Sequence, residues 1–277
     1  MSRALCLLIG AVLLVPVGTA APAAGEGLQL PDLKPRSSTV AYNAATDELW
    51  FHTHVENHGE YAFEVLGSPH TDGPSQYAHA DQCVRWADPR VHVGSKVCAE
   101  YQRIGRLVWH AEHRHLHLDG LARYTLFHVG EDGSLSEVRS SDKVGFCLTD
   151  TWPLRYERFP QRVHPLLDPA LDDQYGFRRT QTDRWYFECT YAYGVVPWPS
   201  LRMGISPGWK DIYNGPVPGQ QFPVGDLPDG QYRLRTRLNT SDSLRFREVS
   251  LDDNEHWLDV CLHRDAQGRR QAREGAC

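Results

Sequence analysis

Several common signals are absent from this sequence. No Cys-x-x-Cys pair occurs, which argues against a structural zinc ribbon. No internal repeat appears, and helix-like periodicity is scarce. The formal net charge is only -6, and this mildly acidic balance argues against nucleic acid as the main partner. Beyond the N-terminal region no second long apolar run follows, so we expect no membrane span.

The N-terminal residues predict an export signal over 1–24. Arg3 supplies a positive charge, residues 4–17 are almost continuously apolar, and small residues fill positions 18–24. The apolar run is shorter than the roughly 20 residues that a membrane-spanning helix needs. We therefore expect a secreted protein, in which residues 25–277 form a single domain, as all-β chains of this size often do.

The cysteines favour disulfide bonds. Loss of Cys6 with the signal leaves six of the seven cysteines, an even number in an oxidising compartment. The sequence alone does not choose among the many connectivities. We favour nearest-neighbour pairing because each bridge then closes one local excursion. The expected pairs are Cys83–Cys98, Cys147–Cys189 and Cys261–Cys277.

Alternation of apolar and polar residues predicts an all-β fold, a β-sandwich with long disulfide-tethered loops and little helix. Residues 49–55 are expected to pair with residues 61–65 through a turn at 57–59. Further strands are expected at 122–129, 232–238 and 257–262, the last as the closing strand. Long loops are expected at 67–81 and 155–183, with one short helix near 166–172 in the second, which Cys147–Cys189 would tether.

Four histidines lie within residues 109–117. Successive side chains of a strand point to opposite faces, so His113, His115 and His117 would share one face. Imidazole suits copper, zinc, iron and nickel, and divalent copper usually binds such a set most tightly. A histidine-rich surface strand is the alternative, but three histidines in register before an apolar run favour a transition-metal site.

The same residues resemble the lysyl oxidase family. Its copper motif, Trp-His followed by three alternating histidines, is matched at residues 109–117. Its Lys-x-x-Phe-Cys-Leu-x-Asp run is matched at 143–150, and its Gly-x-Ser-Pro-Gly followed by Asp-x-Tyr at 204–213. Residues 30–33 and 248–261 match its two ends, so the resemblance covers nearly all of the mature chain. Glu112 and Trp209 stand where the family has cysteines.

The resemblance implies a copper-dependent amine oxidase. His113, His115 and His117 would hold Cu(II), and Lys143 and Tyr213 would form the cofactor lysine tyrosylquinone. The enzyme would use O2 to deaminate primary amines, such as lysine side chains of polypeptides, to aldehydes with release of H2O2 and NH3. An amine is a nucleophile only when unprotonated, so we expect Lys143 to lie where its charge is disfavoured.

A carboxylate near the quinone would serve as the proton-abstracting base. Asp211 lies two residues before Tyr213 and would share its face on a strand, which makes it the first choice. Asp150 is the second choice. Ordinary surface carboxylates are the alternative reading of both residues.

The resemblance also implies a calcium site that joins the two ends of the chain. The matching oxygen donors are Asp32, the Leu33 carbonyl, Glu248, Asp253 and Asn254, and calcium takes 6–8 such donors. Ser250 stands where the family usually has an aspartate. Solvated acidic residues are the alternative.

Two other functions remain open. A three-histidine zinc hydrolase would use metal-bound water as its nucleophile, and it would need no crosslink between Lys143 and Tyr213. A non-catalytic secreted module would keep the β-sandwich and the metals without maturing a quinone. Amine-dependent peroxide release, blocked by a carbonyl reagent, separates both from the oxidase.

Overall fold

The computed structural model describes residues 27–69, 77–86, 98–110, 115–154, 186, 201–215, 217–240 and 244–277. This part of the chain forms strands and turns and contains no helix. Its strands are β1 (Leu33–Asn43), β2 (Glu48–Asn57), β3 (Phe63–Pro69), β4 (Tyr77–Trp86), β5 (Cys98–His110), β6 (His115–Val129), β7 (Leu135–Phe146), β8 (Trp152–Pro153), β9 (Leu201–Ile205), β10 (Trp209–Tyr213), β11 (Gln221–Pro223), β12 (Gly230–Leu238), β13 (Glu255–Arg264) and β14 (Arg270–Glu274). The prediction of an all-β fold is confirmed.

The strands form two antiparallel sheets. The smaller sheet has the order β1-β2-β10-β8, and β11 also pairs with β2. The larger sheet has the order β14-β13-β12-β6-β5-β4-β3-β9, and β7 pairs with β6 along the edge opposite β12. β6 is therefore a central strand, and this strand carries the end of the histidine motif.

The core lies between the two sheets. Apolar residues alternate with partly exposed residues along β2 and β12, as expected for strands with one buried face. Phe51 of the smaller sheet meets Tyr124 of the larger sheet edge to face, with ring centroids 4.9 Å apart. Each such fully buried apolar side chain contributes about 1.5–3 kcal/mol relative to exposure, so this layer holds the sheets together.

The predicted hairpin between residues 49–55 and 61–65 is wrong. β2 pairs with β1, β10 and β11, whereas β3 pairs with β4 and β9 of the other sheet. Asn57 holds this crossing, because its amide donates to the carbonyls of Tyr61 and Ile205, each at 2.9 Å. Gly59 is packed against the backbone of Pro31 and Asp32, where a side chain would collide.

Most other strand predictions are confirmed, with corrected limits. The predicted strands at 122–129, 232–238 and 257–262 lie within β6, β12 and β13. The predicted loop at 67–81 is partly wrong, because β3 and β4 extend into it. β13 is not the closing strand, since β14 follows and pairs with it. All of the predicted 155–183 loop, with its helix near 166–172, lies outside the described residues.

Two of the three predicted disulfides are present, Cys83–Cys98 and Cys261–Cys277. Cys147 takes part in a disulfide, and Cys189 lies outside the described residues, so the pair Cys147–Cys189 stays a prediction. In the part of the chain that the structure describes, no helix is long and apolar enough to cross a membrane.

Candidate functional site

The end of the histidine motif lies on the central strand of the larger sheet. β6 begins at His115, and two residues later His117 is only 6% exposed. Gly145 of the neighbouring strand β7 lies against the His117 imidazole, where any Cβ would overlap the ring. Gly145 also has a φ of +109°, which side chains rarely adopt. Together these features fix the position of one predicted copper ligand.

The structure says less about the other two predicted copper ligands than about His117. His113 lies outside the described residues, and for His115 the structure gives the strand position and not the side chain. Among the residues that the structure does describe, no three His, Cys, Asp or Glu side chains are grouped to hold a metal. A buried imidazole held by a neighbouring glycine nevertheless fits the chemistry of a copper ligand.

Tyr213 lies against the end of the strand that carries Lys143. Its hydroxyl donates a hydrogen bond to the Cys147 carbonyl at 2.9 Å. Its ring meets the Phe146 ring edge to face, with the ring centroids 4.9 Å apart. Lys143 lies on β7 opposite Ala122, three residues before Phe146. Seventy residues of sequence separate Lys143 from Tyr213, and the structure gives the strand position of Lys143 but not its side chain.

Asp211 and Tyr213 lie on the same face of β10, as the alternation predicted. Asp211 is 3% exposed, and its carboxylate accepts hydrogen bonds from the Thr151 hydroxyl at 2.6 Å and the Thr149 amide at 3.3 Å. Burial, followed by the charge of Asp211, raises the pKa of the Tyr213 hydroxyl well above its usual value. The phenol is therefore neutral and lies beside a group able to accept its proton.

Asp150 has a different environment from Asp211. Its fully buried carboxylate accepts hydrogen bonds from the Ser206 hydroxyl at 2.5 Å, the Ser206 amide at 2.8 Å and the Tyr186 amide at 3.0 Å. Such a set of donors stabilises the ionised form and ties three segments of the chain together. These contacts favour a role for Asp150 in holding the loop after β7.

Hydrogen bonds and the ion pairs of Lys34 connect the five predicted calcium-site residues from the two ends of the chain, but their three carboxylates do not form a ready-made metal-binding group in the described structure. The Leu33 amide donates to Glu248 Oε2 at 3.1 Å, across 215 residues of sequence. The other oxygen, Glu248 Oε1, accepts from the side-chain amides of Asn254 and Asn239. Burial raises the pKa of Glu248 to about 7.

Several oxygens in this cluster fit a bound cation. Asp32 Oδ1, Asp253 Oδ1 and Asn254 Oδ1 are buried and make no hydrogen bond. Buried polar atoms are normally satisfied, and carboxylate and amide oxygens are the donors that Ca²⁺ prefers. Lys34 also reaches the cluster, since its Nζ lies 3.4 Å from Asp32 Oδ2 and pairs with Asp253.

Sequence reasoning missed three residues of these sites. Gly145 supports His117, Thr151 bonds to Asp211, and Asn239 bonds to Glu248. A glycine within a strand indicates close approach of another group, so Gly145 was detectable in principle. Thr151 and Asn239 gave no local signal, because their partners are distant in sequence.

The fold and site define an all-β protein in which β7, the neighbour of the histidine-bearing strand β6, ends against Tyr213 of β10. No protein-family model matches the chain. The protein-lysine 6-oxidase of Sus scrofa is 27% identical over 134 residues, which are 48% of this chain and 39% of that protein. Those of Bos taurus and Gallus gallus have the same identity over the same length, which is 23% of each protein.

The chain is therefore similar to protein-lysine 6-oxidases over 48% of its length. The match spans well under half of each of these relatives. The resemblance to the lysyl oxidase family that the motifs indicated is supported by independent alignment.

Proposed function

We propose that this protein is a secreted, copper-dependent amine oxidase that makes a quinone cofactor from its own Lys143 and Tyr213. It would deaminate primary amines, with lysine side chains of polypeptides as the expected substrates. The relatives are named protein-lysine 6-oxidases, which supports this substrate class. The two disulfides support an oxidising, extracellular location.

One arrangement carries the proposal. Strand β7 contains Lys143, supports His117 through Gly145, and is followed by Cys147, whose carbonyl accepts the Tyr213 hydroxyl. These contacts of one strand support the proposal that the copper ligands, Lys143 and Tyr213 belong to one site. His113, His115 and His117 would hold the copper, and the quinone would supply the carbonyl chemistry of amine oxidation.

The chain's own residues would position the tyrosine and handle protons. The Cys147 carbonyl and Phe146 fix the Tyr213 ring, which is partly buried against the main core. Asp211 is held by Thr151 and Thr149, with its carboxylate next to the Tyr213 hydroxyl. From that position Asp211 would accept a proton near the ring during turnover.

A peptide map of copper-grown, fully reduced protein tests the cofactor directly. We expect a non-reducible crosslink between the peptides that contain Lys143 and Tyr213, and none in Lys143→Arg or Tyr213→Phe. Both variants should fold, bind copper and lack activity. If copper is bound and both peptides return unmodified, the zinc hydrolase or the binding module becomes the better hypothesis.

An activity assay complements the map. Wild-type protein should release peroxide only when a primary amine is added, and phenylhydrazine should block the release. Asp211→Asn should keep the crosslink and slow turnover by about 10²–10⁴-fold, the usual range for loss of a general base. Unchanged turnover in Asp211→Asn would place the base elsewhere.

The calcium part of the proposal has its own test. The buried oxygens of Asp32, Asp253 and Asn254 support a Ca²⁺ ion held together with Glu248 and the Leu33 carbonyl. Calorimetric titration with Ca²⁺ should show one site, and Asp32→Asn combined with Glu248→Gln should abolish it. Loss of calcium binding should leave the Lys143–Tyr213 crosslink chemistry intact if the two sites are separate.

A further inference from the structure

We propose that Lys34 is an internal competitor for the calcium site, so that Ca²⁺ binds only by displacing its ammonium group. The inference rests on the calcium part of the proposed function and concerns a residue outside the proposed ligand set. Lys34 follows Leu33 directly, at the start of β1. From this position, the Lys34 ammonium group would compete with Ca²⁺ for the same carboxylates.

Lys34 makes contact with two of the three proposed carboxylate ligands. Its Nζ lies 3.4 Å from Asp32 Oδ2 and forms an ion pair with Asp253 Oδ2. The Lys34 side chain is 25% exposed and Asp32 is 17% exposed, so water screens this pair only in part. Lys34 thus neutralises carboxylates that would otherwise repel each other in the absence of metal.

The ammonium does not satisfy the whole cluster. An ammonium has three donors, whereas Asp32 Oδ1, Asp253 Oδ1 and Asn254 Oδ1 stay buried without a hydrogen bond. Calcium takes 6–8 oxygens and could engage these atoms, but it would have to share Asp32 and Asp253 with a cation already in contact. Repulsion between Ca²⁺ and the ammonium would drive Lys34 outward when calcium binds.

Two consequences follow for the natural protein. Its calcium affinity should be lower than its oxygen donors allow, because each binding event breaks the Lys34 ion pairs. Without calcium, the wild-type protein should be more stable than a variant that lacks the Lys34 charge, because Lys34 holds the start of β1 to the segment before β13. Both effects should disappear together when the charge of Lys34 is removed.

Calcium titration calorimetry on the mature chain tests the proposal with Lys34→Met. This variant keeps the unbranched length of the side chain and removes the charge. We expect about tenfold tighter Ca²⁺ binding, the sum of two partly exposed ion pairs. Without calcium the variant should unfold at lower temperature than wild type, and saturating calcium should remove that difference.

Arg36→Met is the matched control, because it removes a positive charge two residues along the same strand. Arg36 lies 3.9 Å from Glu56 and makes no ion pair with the calcium-site residues. Its calcium affinity should equal that of wild type. If Arg36→Met tightens binding as much as Lys34→Met, general electrostatics explain the effect and the proposal is overturned.

Lys34→Arg provides a second variant that retains the charge if Lys34→Met folds poorly. It should keep the weak calcium binding of wild type, and tightening in this variant would contradict a role for the charge. Equal calcium affinity in Lys34→Met and wild type would overturn the proposal and leave the calcium site standing. No calcium binding in either protein would overturn both, while the peroxide assay and the peptide map still report separately on the oxidase.

Discussion

At the scale of single residues, Gly145 shows how a backbone position can define a candidate metal site. The backbone at Gly145 has a φ of +109°, which favours glycine, and the His117 imidazole lies where a Cβ would be. Glycine is the amino acid that meets both requirements. A side chain at this position would strain the backbone and displace a predicted copper ligand.

Gly145→Ala should therefore lower both stability and copper content. The positive φ costs about 1–2 kcal/mol for a residue with a Cβ, and the overlap with His117 costs about 1–3 kcal/mol more. Denaturant unfolding of the apo protein and metal analysis of copper-grown protein measure the two effects.

Gly133→Ala is the control for backbone strain. Gly133 has a φ of +80° in the turn after β6, and nothing lies within 4 Å of its Cβ position. It should lose about 1–2 kcal/mol and keep its full copper content. Equal behaviour of the two variants would mean that the contact with His117 is unimportant.

His54 gives a pH dependence that can be assigned to one side chain. Burial, and then the nearby charge of Lys210, lowers the pKa of His54 from 6.5 to about 4. Between these pH values the unfolded chain takes up the proton more readily, so the free energy of unfolding should fall as the pH falls. The stabilisation is fully present above pH 6.5 and is lost toward pH 4.

His54→Gln should flatten this part of the stability profile, because glutamine does not titrate. Lys210→Met should reduce the slope by a smaller amount, since it removes the second cause of the shift. Denaturant unfolding at a series of pH values gives the slopes. An unchanged slope in His54→Gln would assign the acid sensitivity to other groups.

The sequence identified residues whose partners are local and missed those whose partners are distant. The alternation of Asp211 and Tyr213 placed both on one face of a strand, and the structure confirms it. The contact between Tyr213 and the Cys147 carbonyl spans 66 residues, and no local pattern encodes it. In the sequence, only the resemblance to a known family links Tyr213 to Lys143.

At the scale of strands, β10 shows how a departure from the family pattern is accommodated. Trp209 stands where the family has a cysteine, and it is 2% exposed in the main core. Its aromatic area anchors the strand that carries Asp211 and Tyr213.

Trp209→Ala should destabilise the protein by about 3–5 kcal/mol, the usual cost of truncating a buried tryptophan. Trp152→Ala is the matched control, because Trp152 lies on the adjoining strand β8 and is 62% exposed. The control should stay within about 0.5 kcal/mol of wild type. Chemical denaturation measures both, and a small effect at Trp209 would contradict its anchoring role.

Strand existence was predictable from alternation, and strand partners were not. The pattern at 49–55 and 61–65 is the same in a hairpin and in a crossing between two sheets. The difference lies in Asn57, whose side chain bonds to the carbonyl of Ile205, 148 residues away. The turn-forming residues at 57–59 therefore gave no sign of the contact between Asn57 and Ile205, which helps to place the two strands in different sheets.

At the scale of the whole molecule, a disulfide closes one end of the larger sheet. Cys261–Cys277 joins β13 to the segment that follows β14, across a separation of 16 residues. A loop of this size predicts about 3 kcal/mol of stabilisation by restriction of the unfolded chain. Cys261→Ser with Cys277→Ser should therefore lose about 3 kcal/mol in denaturant unfolding.

The matching single variant, Cys277→Ser, should lose the same amount, because one missing sulfur already opens the loop. Full stability in the double variant would show that the pairing of β13 with β14 alone holds this end of the chain. The nearest-neighbour prediction succeeded here because both cysteines flank one local hairpin.

The crossing at Asn57 also bears on the order of events after synthesis. β2 finds its partner β10 about 150 residues later, and Leu33 meets Glu248 across 215 residues. Chains dominated by such long-range pairings fold slowly, because loop closure precedes most of the stabilising contacts. Tyr213 lies at the end of β7 once β10 has paired with β2 and β8, so a crosslink to Lys143 would form only in chains that have made these long-range contacts and would mark them covalently.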